Sequence, residues 1–417
     1  MDSPPSLDGV RVLLVASYFP PELGPAPARM GALSRGLVQL GADVEVLTCN
    51  PRYPHGHKFS PSLGKEEGIS TERVALRYFP VPVSNGKVLP RMIEQMRFYT
   101  RGLARGRKLP PLDIVIGSSP FFTAACLAWR LSRHWGCPFI YDVRDLYPES
   151  LRLARIAVPA LLYRYLCGWA HRLYEGSSFV VVNQPSLHAS LSKRLPPRKL
   201  RMAMNPVELS EGDAYRDSRL SESLTVGYAG LWGRGYDFPA LLSVIEQADA
   251  SEFNFRLIGS GYWENGVREF AQQDRTNLSV HYGWMRHEQL LAEYASWDIA
   301  LLPVKPNWCA SMWPAKIPEL VAHGIVTIVP SELPLPPSLV DSPFILRAPE
   351  ATAQGYLQAL NEASRHARTL TQQDYYEARE MIRREFAPAR LAQAYAEVIR
   401  QALPTKAKYR PEPATPD

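Results

Sequence analysis

Along the chain, short runs of aliphatic and β-branched residues alternate with longer stretches in which apolar positions return every third or fourth residue. Runs of the first kind, bounded by glycine and proline, read as buried strands; stretches of the second kind read as amphipathic helices. "VRVLLVASYF" (residues 10–19) is a strand, a Pro/Gly loop follows, "ARMGALSRGLVQLG" (28–41) is a helix closed by Gly41, and "DVEVLTC" (43–49) is the next strand. Further strands read at "DIVIGSS" (113–119), "PFIYDVRD" (138–145) and "SFVVVN" (178–183), separated by helices near 121–135 and 160–174. Near "AMNPVELS" (203–210) the rhythm pauses, then resumes with "LTVGYAG" (224–230), "FNFRLIGSG" (253–261), "LSVHYG" (278–283), "DIALLPV" (298–304) and "IVTIVP" (325–330). Strand and helix in strict turn imply parallel sheets wrapped by helices, so the expected fold class is α/β with two doubly wound domains. Their expected limits are 1–205 and 206–385, followed by a closing helix over 386–403 and a disordered tail over 404–417.

Composition adds little to the fold but narrows the setting. At 46% hydrophobic and 21% charged, the 417 residues are ordinary for globular chains and can bury more than one core. The 38 prolines cluster in connections such as "KLPPLD" and "ELPLPP", which marks rigid turns. Five scattered cysteines without metal-ligand spacing argue against disulfides and structural zinc and suit a reducing cytoplasm. Neither a signal-peptide pattern nor an 18-residue apolar run is expected, so membrane contact would be peripheral.

Charge is uneven. Residues 1–205 hold 27 Lys+Arg against 14 Asp+Glu, whereas residues 206–417 hold 20 against 27. Part of the excess lies in "RMIEQMRFYTRGLARGRK" (91–108), where Arg97, Arg101, Arg105 and Lys108 recur at helical spacing. Such a face attracts the phosphates of nucleic acid, of anionic lipid or of a pyrophosphate-linked substrate; a merely solvated face is the alternative.

In open parallel sheets, ligands sit beyond the carboxyl ends of the strands. Three loops there carry glycine: Gly24 in "FPPELGPAPAR", with Arg29 just inside the next helix; Gly230, Gly233 and Gly235 in "YAGLWGRGYD"; and Gly259 and Gly261 in "IGSGYWENG". Glycine lets backbone N–H groups approach an anion, and Arg29 and Arg234 could add charge-assisted contacts to a diphosphate. No complete G-x-G-x-x-G or Walker motif occurs. In "WPAKIPELVAHGI" (313–325), Lys316 and Glu319 stand one helical turn apart, either as a surface ion pair or as phosphate and ribose ligands.

Taken together, "SYFPPELGPAPARM", "LTCNPRYPHG", "YDVRDLYPES", "VGYAGLWGRG", "IGSG", "WPAKIPELVAHG" and the late "EFAPARLAQAYAEVI" give the chain a resemblance to retaining glycosyltransferases of family 4, nearest the bacterial fucosamine transferase-like branch. The resemblance implies the GT-B fold: two Rossmann-like domains facing a central cleft, with the terminal helix packing back on the first. It implies a nucleotide-diphosphate sugar as donor, UDP favoured, with Glu319 on the ribose, Lys316 and Arg234 steadying the diphosphate, and Gly24, Arg29, Gly230, Gly259 and Gly261 lining the donor site. Asp142 would act in catalysis, and Arg144, Asp145 and Glu149 of "YDVRDLYPES" would face the sugar or acceptor; a structural cluster at a strand end is the other reading of that string. Neither a metal nor a protein nucleophile is implied, nor is nucleic acid a partner. The expected acceptor is a glycan or polyprenyl-diphosphate-linked sugar in surface polysaccharide or glycolipid assembly, met at an anionic membrane face. The sequence departs from the family at two positions: Ser311 stands where many members carry a glutamate, and the donor-loop lysine is missing, leaving Arg234 as substitute. A small-molecule glycosyltransferase, a catalytically silent subunit binding a partner transferase, and a nucleotide-sugar epimerase of the same fold are the rival expectations.

Overall fold

The computed structural model describes residues 5–22, 24–51, 74–79, 81, 88–153, 156–209, 222–273, 276–310 and 312–404. Ser311, the expected tail beyond residue 404 and most of the "NPRYPHG" segment lie outside the described residues. Strands β1 (Arg11–Ala16), β2 (Asp43–Cys49), β3 (Val74–Phe79), β4 (Ile114–Ser118), β5 (Phe139–Val143), β6 (Phe179–Val182) and β7 (Leu200–Met202) form one sheet in the order β3-β2-β1-β4-β5-β6-β7. Strands β8 (Leu224–Leu231), β9 (Phe253–Ser260), β10 (Leu278–Tyr282), β11 (Ile299–Leu301), β12 (Val326–Pro330) and β13 (Ile345–Ala348) form a second, in the order β10-β9-β8-β11-β12-β13. Every strand pairing within both sheets is parallel. Around them run α1 (Pro25–Gln39), α2 (Val88–Gly106), α3 (Phe122–Trp135), α4 (Glu149–Leu153), α5 (Ala160–Gly176), α6 (Pro185–Ser192), α7 (Phe238–Gln247), α8 (Glu264–Ala271), α9 (His287–Tyr294), α10 (Pro306–Cys309), α11 (Ile317–Ala322), α12 (Pro337–Val340), α13 (Ala353–Ala367), α14 (Gln372–Glu385) and α15 (Pro388–Ala402).

Each sheet is wound outward from its middle in both directions, so strand order reverses once, between β1 and β4 and again between β8 and β11. At such a reversal neighbouring crossovers go to opposite faces, and the loops beyond the strand ends leave a crevice. The first strand explains the apolar run that announced it. Val12, Leu14 and Ala16 pack with Leu33 and Leu37 on one face, while Leu13 and Val15 pack with Leu127 and Leu131 on the other. A strand buried on both faces cannot alternate polar and apolar residues.

Helices α2, α3 and α5 cover one face of the first sheet. On the other face α1 is joined by α15, whose Leu391, Tyr395, Ala396, Val398 and Ile399 complete the core, so this helix packs back on the first domain. The strands that sequence pattern did not single out, β3, β7 and β13, are all sheet edges, and two of them are only three or four residues long. The strand expected over 298–304 is shortened to β11, because Pro303 has no N–H to offer a ladder.

Helix α1 meets α15 at Gly36, where an added Cβ would stand 2.4 Å from Cβ of Ala392. Gly36→Ala is therefore expected to lower unfolding free energy by about 1–3 kcal/mol. Gly168→Ala, on open space in α5, is expected to raise it by about 0.5–1 kcal/mol. Urea titration of both variants checks the contrast.

Candidate functional site

The second-domain site is built on strand ends. Gly230, near the end of β8, has φ +130°, and Gly259, near the end of β9, has φ +148°. Both values lie where L side chains are rarely found. A Cβ at Gly259 would stand 2.0 Å from the Gly230 carbonyl oxygen, so only glycine lets the two strand ends approach this closely. A Cβ at Gly230 would stand 2.8 Å from Lys316 Nζ, so that glycine makes room for an ammonium. Gly261 follows with φ +147°.

Lys316 immediately precedes α11 and reaches back to β8. Its Nζ donates to the Ala229 carbonyl and lies 4.3 Å from the ring centroid of Tyr228 and 5.4 Å from that of Tyr236. Burial among these groups pushes the ammonium down to about 7, against the opposing pull of Glu319. No ion pair joins Lys316 to Glu319 among the described residues. Instead, Glu319 accepts a hydrogen bond from Tyr294 and lies 3.7 Å from Nε2 of His287. His323 Nδ1 is 2.7 Å from the Glu319 carbonyl oxygen. Burial raises the carboxyl above its ordinary range although His287, His323, Lys316 and Tyr294 all favour its charge. Arg234 is exposed, its guanidinium 4.3 Å over the ring of exposed Tyr262. A desolvated cation and carboxylate at the reversal between β8 and β11, with a second cation, Arg234, on the loop after β8, can take an anion and a vicinal diol.

The first domain contributes differently than the sequence suggested. Arg29 in α1 and Asp142 in β5 are both fully buried and paired at 3.0 Å. Arg29 also donates to the carbonyls of Ala203 (2.8 Å) and Met204 (2.9 Å), and the Tyr395 hydroxyl donates to Asp142 at 2.6 Å. Ser118 donates to the other carboxylate oxygen at 2.7 Å. Burial works against charge on Asp142, but Arg29 and Arg144 outweigh it and hold the carboxyl below its ordinary value. The expectation that Arg29 touches the donor and that Asp142 acts in catalysis is therefore corrected: neither has surface to offer a ligand, and the pair is internal structure.

Arg144, two residues beyond Asp142 on the same face of the chain, is only partly buried. Its backbone N–H donates to Ser119 at 2.8 Å, while its enclosed Nε and Nη1 have no hydrogen-bond partner. Burial lowers its pKa, Arg29 adds like-charge repulsion, and Asp142 opposes both. Asp145 beside it is exposed. Gly24 has φ +119°, caps α1 and borders open space. Glu149 opens α4 and pairs with Arg194 at 2.5 Å. That pair lies on a cavity of about 950 Å³ bounded by first-domain residues, among them Tyr147, Tyr174 and Lys199, and by Gln401 of α15. Lys316 and Glu319 are not among its lining residues. Sequence reasoning missed Tyr228, Tyr236, Tyr294 and Tyr395: the first two stand inside the quoted "YAGLWGRGYD" but were passed over for its glycines and Arg234, and the last two come from α9 and α15, where no motif announces them.

Residues 26–207 match the family described as "Glycosyl transferase 4-like domain". An uncharacterized 41.2 kDa protein in the cps region of Klebsiella pneumoniae is 31% identical over 84 residues, 20% of this chain and 22% of that protein. The match thus spans about a fifth of the curated relative's length. Among solved structures, sucrose-phosphate synthase from Thermosynechococcus elongatus superposes with TM-score 0.68 at 15% identity, covering 94% of this chain and 98% of that one. The lipopolysaccharide outer core galactosyltransferase WaaB gives 0.63 at 10%, over 94% and 100%. HepE of Anabaena in complex with UDP gives 0.61 at 12%, over 94% and 100%. These likenesses show the fold: two parallel-sheet α/β domains in the GT-B arrangement.

Arg29→Met would strand the Asp142 charge in the core and is expected to cost about 3–5 kcal/mol in urea unfolding. Lys316 gives a pH signature without any ligand. Its folded value near 7 lies below the ordinary 10.5, so between these limits the unfolded chain binds the extra proton and stability rises with pH. The cost is fully present below 7 and is gone above 10.5. Replacing Lys316 with Met is expected to remove that rise from a pH series of denaturation midpoints.

Proposed function

We propose that this chain, whose residues 26–207 match the glycosyl transferase 4-like domain, is a retaining, metal-independent glycosyltransferase. It takes a nucleotide-diphosphate sugar, UDP favoured and the sugar an N-acetylhexosamine, and transfers the sugar to a glycan or lipid-linked acceptor in surface polysaccharide or glycolipid assembly. The observation that carries the reading is the desolvated Lys316 beneath Gly230, with Glu319 one helical turn beyond it, at the strand-order reversal of the second sheet. UDP is favoured because HepE was solved with it, and the surface-glycan setting because the similar folds include a lipopolysaccharide transferase.

In this reading the Glu319 carboxylate accepts from the ribose hydroxyls, while the Lys316 and Arg234 cations face the diphosphate. The acceptor oxygen bonds to the anomeric carbon as the bond to the diphosphate oxygen breaks, and the acceptor proton passes to the departing phosphate on the same face of the sugar. Charge builds on that phosphate, and fixed cations in a site poor in water stabilise it. Arg144, with two donors unused by the protein, faces the sugar or acceptor. Gly24 and Gly261 let the backbone approach the donor, and Asp145 and Glu149 stand on the acceptor side.

A panel of nucleotide sugars read by mass spectrometry, with the anomeric configuration of the product, tests the reading. The expected outcome is retained configuration at a rate unchanged by EDTA, with Glu319→Gln lowering kcat/KM by about tenfold to a hundredfold through its weakened ribose contact. Nucleotide binding without turnover on any donor would instead support a silent subunit, and isomerised donor without acceptor would support an epimerase.

A further inference from the structure

Two helices of the first domain expose side chains that soluble surfaces usually hide. In α2, Met92, Ile93 and Met96 are 49%, 44% and 59% exposed; in α5, Leu161 and Tyr165 are 81% and 61% exposed. These are not scattered residues. Ile93 continues along one helical stripe through Arg97 and Arg101 to Arg105, so the stripe begins apolar and becomes cationic. The stripe from Leu161 through Tyr165 and Gly168 to Arg172 on α5 has the same order, with exposed Arg164 beside its apolar end. Between residues 88 and 108 six cations are exposed, and the single acid, Glu94, is buried. None of the first ten residues of α5 is buried; its buried positions are Ala170, Leu173 and Tyr174.

Topology puts the two apolar ends on one rim. Both helices lie on the same face of the first sheet, on either side of α3. Helices that link parallel strands run opposite to them, so the amino ends of α2 and α5 lie toward the carboxyl edge of the sheet. That edge also carries Arg144 and Asp145. Apolar tips flanked by arginines match the boundary of an anionic bilayer, where apolar groups enter the acyl region and cations stay at the phosphates.

We propose that the amino ends of α2 and α5 form one docking face for an anionic lipid bilayer, setting the carboxyl edge of the first sheet against the membrane. The proposal rests on the glycosyltransferase reading only in making that edge the acceptor side. No donor or acceptor enters its test, so the two readings can fail separately.

The test is cosedimentation of the full chain with vesicles of phosphatidylcholine alone or mixed with phosphatidylglycerol. Binding to the mixed vesicles, weakened by salt, and little binding to the neutral ones is expected. Ile93→Ser with Met96→Ser, and separately Leu161→Ser with Tyr165→Ser, are expected to cut binding several-fold with thermal midpoints unchanged. Arg91→Glu with Arg97→Glu, both exposed in the amino-terminal half of α2, is expected to cut it by about fivefold or more. Absence of binding to mixed vesicles at low salt, or folded variants that bind like the unmodified chain, would overturn the proposal. So would sedimentation velocity showing a dimer that the same substitutions dissolve, because the face would then belong to a second copy.

Discussion

Arg29 and Asp142 are an ion pair with no access to solvent, and five separate parts of the chain converge on it, β4 among them through the Ser118 hydroxyl. Helix α1 supplies the guanidinium, β5 the carboxylate, the segment leaving the first sheet supplies the carbonyls of Ala203 and Met204, and the returning α15 supplies the Tyr395 hydroxyl. A buried pair contributes little net stability against an apolar substitute, but a buried charge left alone costs several kcal/mol. Geometry is thereby enforced: the exit to the second domain and the return from it must both reach Arg29 and Asp142, or a charge is stranded. The same carboxylate lies two residues before Arg144, so the internal network also positions the cation that remains partly open.

The second domain uses desolvation to the opposite end. Lys316 is held by a carbonyl and two aromatic rings and lacks a carboxylate in contact, which leaves its ammonium poorly stabilised. Glu319 is likewise pushed toward its neutral form by burial. Each would gain from the ligand group proposed for it, a phosphate for one and ribose hydroxyls for the other. In the first domain Arg29 and Asp142 answer each other's charge, whereas Lys316 and Glu319 of the second are left in partial deficit, and a binding site needs the second arrangement.

Much of the fold was legible because central parallel strands are buried on both faces and cannot carry polar residues. Such runs as "RVLLVA" and "VTIVP" stand out for that reason. The edge strands β3, β7 and β13 were not legible, since an edge is half-solvated and its residues need not form an apolar run. Glycine positions were readable in kind: those in the β8 and β9 loops do allow close backbone approach. Their actual partners, the carbonyl of Gly230 and the ammonium of Lys316, were not.

By itself the sequence determined two parallel α/β units, their order along the chain and the short helix bearing Lys316 and Glu319, because apolar period and turn chemistry are local properties. Only the tertiary structure decided which charged residues are spent inside the protein and which stay open. Arg29 and Arg144 both follow predicted strands and both keep an unpartnered Nε, yet one has no exposed surface and is tied to Asp142, Tyr395 and two carbonyls, while the other is partly exposed and its Nη1 is unpartnered as well. Nothing local distinguishes them. The difference arises from α15, more than 350 positions after Arg29, and burial is set by what the whole chain brings together.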